Sequence, residues 1–212
     1  MRIYALALCL AIAAAASSAP SPTSAASSVM LGVNLVVNGN AEAGPGLPTI
    51  APVPGWTTTG HFTAVNYGYD DYPAVNAPGP TARGTRFFSG GTNDSLSSAT
   101  QTIDVSSLAS TVDAGRARYA FSAYIGGFAG QRDYATVSAT FLNASNARLS
   151  AVMLGPVTNV GRNNMTGVWA RGAAGQVPKG TRTIRVKAVS TRFEGASNDG
   201  YTDNISLVLS SR

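Results

Sequence analysis

Few side chains in this 212-residue chain could carry covalent or acid–base chemistry. His61 is the single histidine, and no serine stands in a G-x-S-x-G elbow that would present it as a nucleophile. One imidazole also falls short of the ligand set of a hydrolytic zinc site, so His61 reads as a surface or edge residue. The acidic residues number ten, enough for the facing carboxylate pair of a glycosidase, yet nothing marks such a pair. Cys9 is the only cysteine and lies in an apolar run near the start. The chain beyond that run therefore has no thiol for a disulfide, a nucleophile or a metal cluster. The densest gathering of rings and polar groups is Tyr67, Tyr69, Asp70, Asp71 and Tyr72. A second gathering is Tyr124, followed by Phe128, Arg132, Asp133 and Tyr134 in a Gly-rich segment. Flat rings beside carboxylates and a guanidinium suit stacking combined with hydrogen bonding. Packing of each loop around its own rings, with Asp70–Asp71 as a solvated turn, is the other reading.

The elements that must position these loops are strands. Apolar residues alternate at Val33, Leu35 and Val37, at Tyr119, Phe121, Ala123 and Ile125, and at Val137, Ala139 and Phe141. The same rhythm recurs at Ile184, Val186 and Ala188 and at Ile205, Leu207 and Leu209. A period of two marks half-buried strands. Weaker strand signals cover 61–67, 84–89, 99–105, 149–154 and 167–173, and one helical turn is expected within 105–113. Asn38–Gly39, Pro54–Gly55, Pro78–Gly79–Pro80 and Gly126–Gly127 punctuate the pattern as turns. About ten short strands over residues 33–210 predict one antiparallel two-sheet β-sandwich. The Pro-rich stretch 43–54 reads as an irregular loop laid over it. Trp56 and Trp169 are expected in the core.

Arg2, the apolar run Ile3–Ala16 and the Ser/Ala/Pro stretch to Ser28 form a secretory signal and leader within residues 1–26, with cleavage expected between 16 and 28. The run is shorter than the roughly 20 residues a membrane span needs. Charged residues make up only 12% of the chain and the net charge is +5. That mild balance, with scattered arginines, argues against a nucleic-acid partner.

Three motifs carry a resemblance. Asn34-Leu35-Val36-Val37-Asn38-Gly39-Asn40-Ala41-Glu42, then Val53-Pro54-Gly55-Trp56, then Asp199-Gly200-Tyr201-Thr202-Asp203-Asn204-Ile205-Ser206-Leu207 resemble the opening, early Gly-Trp and closing strand of galactose-binding-like jelly-roll domains. That group includes carbohydrate-binding modules of secreted and cell-wall-associated proteins. The resemblance implies a jelly roll whose first and last strands are neighbours. It also implies a structural calcium ligated by Glu42 and Asp203; the alternative for both carboxylates is bonding to backbone amides at the sheet edge. Asn40, where the opening motif often has Asp, removes one potential charge.

The expectation is a secreted, non-catalytic module for extracellular or cell-wall carbohydrate. Its ligand residues would be Tyr67, Tyr69, Asp70, Asp71, Tyr72, Tyr124, Arg132 and Asp133. The alternative is a structural or adhesive extracellular protein using the same sandwich for protein contacts.

Overall fold

The computed structural model describes residues 30–47, 49 and 51–212. The expected signal and leader lie outside the described residues. Ten strands are present: β1 Thr57–Thr59, β2 Thr63–Asn66, β3 Arg86–Ser89, β4 Leu96–Asp104, β5 Ala117–Gly127, β6 Tyr134–Leu142, β7 Arg148–Leu154, β8 Gly167–Gln176, β9 Thr183–Thr191 and β10 Tyr201–Ser211. They form two antiparallel five-stranded sheets, ordered β1-β4-β9-β6-β7 and β2-β3-β10-β5-β8. This is the expected sandwich. The expected helical turn is a 3-10 turn, Ser106–Leu108, running into α1, Ala109–Asp113.

Alternation explains how the sheets meet. Phe121, Ala123 and Ile125 of β5 and Ile205, Leu207 and Leu209 of β10 are buried from one side. Val137, Ala139 and Phe141 of β6 and Ile184, Val186 and Ala188 of β9 meet them in one core cluster. Their partners on the same strands, such as Arg185 and Lys187, point outward to solvent. Trp56 plugs this core as expected, 8% exposed, its ring edge-on to Phe88 at 5.9 Å. Trp169 is only half-buried against the same cluster.

The opening segment departs from the expected strand. Val36, not Val33 or Val37, is buried there: Val33 is 43% and Val37 62% exposed. The cause is Asn34, whose side chain takes bonds a strand would leave to backbone. Its Oδ1 accepts from Val36 and Leu207 amides and its Nδ2 donates to the Ile205 carbonyl. What remains is one bridge, Asn34 to Val208, flanked by amide bonds from Gly32 to Leu209 and from Leu35 to Leu207. The segment 32–39 therefore lies beside the last strand, as the resemblance implies. Gly39 completes the join; its carbonyl accepts from the Ile205 amide, and a Cβ at Gly39 would collide with the Ile205 carbonyl.

A β-bulge in β10 decides what the outer face of the second sheet carries. Between Asp203, opposite Tyr124, and Ser206, opposite Ser122, β10 holds one residue more than β5. Asn204 takes φ +46° within it. An extra residue reverses which face odd-numbered side chains occupy. Ile205, Leu207 and Leu209 enter the main core, whereas Tyr201 joins a second cluster with Val65, Tyr67, Phe87 and Val168.

Candidate functional site

The second cluster is roofed by the β2–β3 connection, residues 67–85. Its base closes through the Tyr67 amide bonding to the Thr85 carbonyl. Its far side is pinned by the Val168 amide to the Pro78 carbonyl and by Asn204 Nδ2 to the Ala82 carbonyl. Inside it, a tight turn runs from Tyr69 to Tyr72, with Asp70 at φ +48°. Tyr72 stacks tilted or edge-on against Tyr201 and Phe87, at 5.9 and 6.0 Å.

At the end of this roof three loops converge on a cavity of about 190 Å³. Asp70, Asp71 and Tyr72 come from the β2–β3 connection, Phe128 and Gln131 from the β5–β6 connection, and Gly195, Ala196, Ser197 and Asp199 from the β9–β10 connection, with Tyr201 at its base. The two loops singled out in the sequence therefore do meet, through Asp70–Tyr72 and Phe128.

Two buried groups hold the walls. Asp133 is fully buried, and its Oδ1 accepts from the Phe193 and Glu194 amides at 2.6 and 3.0 Å. Its Oδ2 accepts from the Asp199 amide at 3.0 Å. Arg162, 1% exposed, donates from Nη2 to the Phe128 and Gln131 carbonyls at 3.0 and 2.6 Å and from Nη1 to the Val157 carbonyl. Burial lowers the pKa of this guanidinium, while the nearby Tyr201, Asp133 and Asp199 oppose that shift. Asp199 accepts from the Tyr201 hydroxyl at 2.7 Å. Burial raises its carboxyl, and the negative field of Asp133 and Asp71 adds to the rise.

The remaining expected ligand residues have other surroundings. Tyr69 is 38% exposed at the rim, its ring 6.5 Å from that of Tyr72. Tyr67 is buried beneath the roof, its hydroxyl donating to Asp203. Tyr124 packs half-buried against the second cluster. Arg132 points outward, paired with Glu194 at 2.7 Å and lying over the Phe193 ring. His61 does not line the cavity; it stands exposed with Nδ1 2.7 Å from Asp94. Gln131, Ser197, Asp199 and Tyr201 were absent from the sequence-based set. Asp199 and Tyr201 stand in the closing motif, where they read as strand residues, and no pattern announces Arg162 as a brace.

The two carboxylates implied as metal ligands are both engaged. Glu42 Oε1 accepts from the Thr85 and Arg86 amides, and Oε2 accepts from the Thr85 hydroxyl at 2.7 Å. Asp203 is fully buried and accepts from the Tyr67 hydroxyl and the Asn204 amide at 2.8 and 2.7 Å. Burial pushes its carboxyl up to about 7. These bonds leave lone pairs free on both groups. Among the described residues no three His, Cys, Asp or Glu side chains gather as a metal cluster. A calcium at this seam would thus take most of its six to eight oxygens from carbonyls and water.

No family model matches the sequence, and no curated protein matches it in sequence. Solved structures do match in shape. The enzymatically active domain of tailspike protein 4 from bacteriophage CBA120 gives a TM-score of 0.51 at 15% identity, over 84% of this chain and 22% of that one. A family 16 carbohydrate-binding module gives 0.46 at 20% identity, covering 82% of this chain and 99% of the module. A family 22 xylan-binding domain from Paenibacillus barcinonensis gives 0.42 at 12% identity, over 74% and 87%. The likeness is one of fold. It agrees with the jelly-roll sandwich that the opening and closing motifs imply.

Proposed function

We propose that this chain is a secreted, non-catalytic carbohydrate-binding module, and that the three-loop cavity is its ligand site. One observation carries the reading: Tyr72, Phe128 and Tyr201 supply rings where Asp70, Asp71, Gln131 and Ser197 supply hydrogen-bonding groups. Mixed apolar and polar walls fit a sugar, which has apolar ring faces and a hydroxyl rim. The fold shared with named carbohydrate-binding modules accords with it. Buried Asp133 and Arg162 shape the site without contacting ligand.

Pull-down on a panel of insoluble neutral polysaccharides tests the proposal. The wild type should be retained by at least one, and Asp71→Asn should weaken that binding about tenfold, the worth of a hydrogen bond to a charged group. Exposed Asp71 makes no hydrogen bond that the fold depends on, so its variant should melt with the wild type. Retention on none of the panel, or unchanged binding by Asp71→Asn, contradicts the assignment.

A second reading has its own observation. Asp70, Asp71 and Asp199 line one cavity, and burial raises Asp199, the asymmetry a glycosidase acid and base require. Release of reducing ends from the bound polysaccharide, lost in Asp199→Asn, would move the chain to the hydrolases.

Calcium at the seam of the opening loop and β10 belongs to the same proposal, with Glu42 and Asp203 as ligands. Its support is that Asp203 is buried with only neutral donors in hydrogen-bond contact and only the field of Arg83 to offset its charge and that of nearby Glu42, so a bound cation would add compensating charge. Among the described residues no helix is long and apolar enough to cross a membrane.

A further inference from the structure

A larger groove, of about 930 Å³, lies on the other sheet. Strand β1 pairs with β4 only at Ser98, Ala99 and Thr100. From Gln101 to Asp104, β4 keeps β9 on one side and has no strand on the other. The opening segment forms the lip there. Gln101 fixes it by accepting from the Val37 amide and donating to the Val37 carbonyl, and Leu35 and Val37 line the groove.

Arg185 and Lys187 of β9 reach into this groove, both exposed. Neither makes an ion pair among the described residues. Their cross-strand neighbours are hydroxyls on both sides: Thr102 and Thr140 flank Arg185, and Thr100 and Ser138 flank Lys187. Directly opposed residues share a face, so two unpaired cations sit in a field of hydroxyl groups. The one carboxylate of the lining, Asp104, is at the groove end and accepts from the Ser106 amide. Two residues apart on one strand, they stand on the same face with their Cα atoms about 7 Å apart.

We propose that this groove is a second binding site, for a polysaccharide bearing carboxylates along its length, a polyuronate. The cations take the carboxylates; the hydroxyls of Thr100, Thr102, Ser138 and Thr140 exchange hydrogen bonds with those of the sugar. A nucleic acid fits less well, since no aromatic ring lines the groove for base stacking. The site shares no residue with the loop cavity, and a protein holding both would cross-link a neutral and an acidic glycan.

Calorimetric titration with polygalacturonate tests this. Fully methyl-esterified polygalacturonate serves as the uncharged control and a single-stranded oligonucleotide of equal charge as the polyanion control. Wild type should bind polygalacturonate in a salt-sensitive manner and ignore both controls. Arg185→Gln and Lys187→Gln should each weaken binding about threefold and the double variant about tenfold, the scale of exposed charge pairs. Melting temperatures should not change, because both side chains are exposed. Asp71→Asn should bind polygalacturonate as the wild type does, which separates this site from the loop cavity. No binding by wild type, full binding by the double variant, or equal binding of either control overturns the proposal.

Discussion

At the scale of single residues, the aspartates of the site divide into exposed and buried groups with different work. Asp70 and Asp71 face solvent at the cavity mouth, where a carboxylate is free to meet ligand. Asp133 spends its oxygens on three backbone amides of the β9–β10 connection. Asp133→Asn keeps the shape but turns an amide NH₂ toward at least one of those donors. It should cost about 2 kcal/mol in urea unfolding, the worth of hydrogen bonds to a buried charged acceptor; a loss within 0.5 kcal/mol would deny the brace. Asp199 gives a pH test. Its carboxyl is raised in the folded protein, so its contribution to stability is largest below the ordinary carboxylate range and is lost as pH rises through the folded value. Asp199→Asn should therefore gain stability relative to wild type between pH 4 and pH 7. A difference constant with pH would show that burial does not penalise the ionised group. Neither Asp133 nor Asp199 could be assigned these roles from sequence: Asp133 accepts from amides of a loop some sixty residues away and Asp199 from the hydroxyl of Tyr201, and no spacing records that.

Among the elements, legibility follows regularity. Strands β6 and β9 keep strict alternation because each packs one face on a single core; β5 alternates through Phe121, Ala123 and Ile125 while its Tyr124 meets the second cluster, and the apolar residues of all three are identifiable one by one. Phe121, at 1% exposure, should cost about 3–5 kcal/mol when cut to alanine. The opening segment misled because its alternating Val33, Leu35 and Val37 pattern is overridden by side-chain bonds from Asn34. The bulge in β10 is equally silent: Tyr201 stands in register with the alternating Ile205, Leu207 and Leu209, yet Tyr201 and Ile205 lie on opposite faces. The three-residue β1 carries no pattern at all. The loop pair of the site was legible as a concentration of rings, whereas its third wall, 195–199, is Gly/Ala/Ser-rich and reads as an ordinary turn. The seam between the opening loop and β10 is where a cation would act on whole elements. An ion that binds only the folded state stabilises it by about 2.7 kcal/mol at a hundredfold excess over its Kd. Chelation should then lower the melting temperature by about 5–10 °C at this chain size, and Glu42→Gln should abolish most of that response. Equal melting with chelator and with millimolar calcium would leave Glu42 to its amide bonds alone.

For the whole molecule, the sandwich presents two unlike concave surfaces, a loop cavity and a groove on the other sheet. Three loops close over one end of the β2-β3-β10-β5-β8 sheet, where the roof of residues 67–85 covers the outer cluster. The opposite sheet leaves its outer face open beside a short edge strand. Export of the whole chain is expected from Arg2 and the apolar run Ile3–Ala16. N-terminal sequencing of protein recovered from the medium should begin between Ser17 and Ser28, and an intact Met1 would refute it. The central claim, that sugar enters the three-loop cavity, is tested most directly by amide chemical-shift mapping with a soluble oligosaccharide of whichever neutral polysaccharide retains the protein. Sugar bound in the cavity should shift Asp70–Tyr72, Phe128–Gln131 and Gly195–Asp199 and leave β4 and β9 unmoved. Shifts confined to the β4 and β9 face, with the three loops silent, would contradict it.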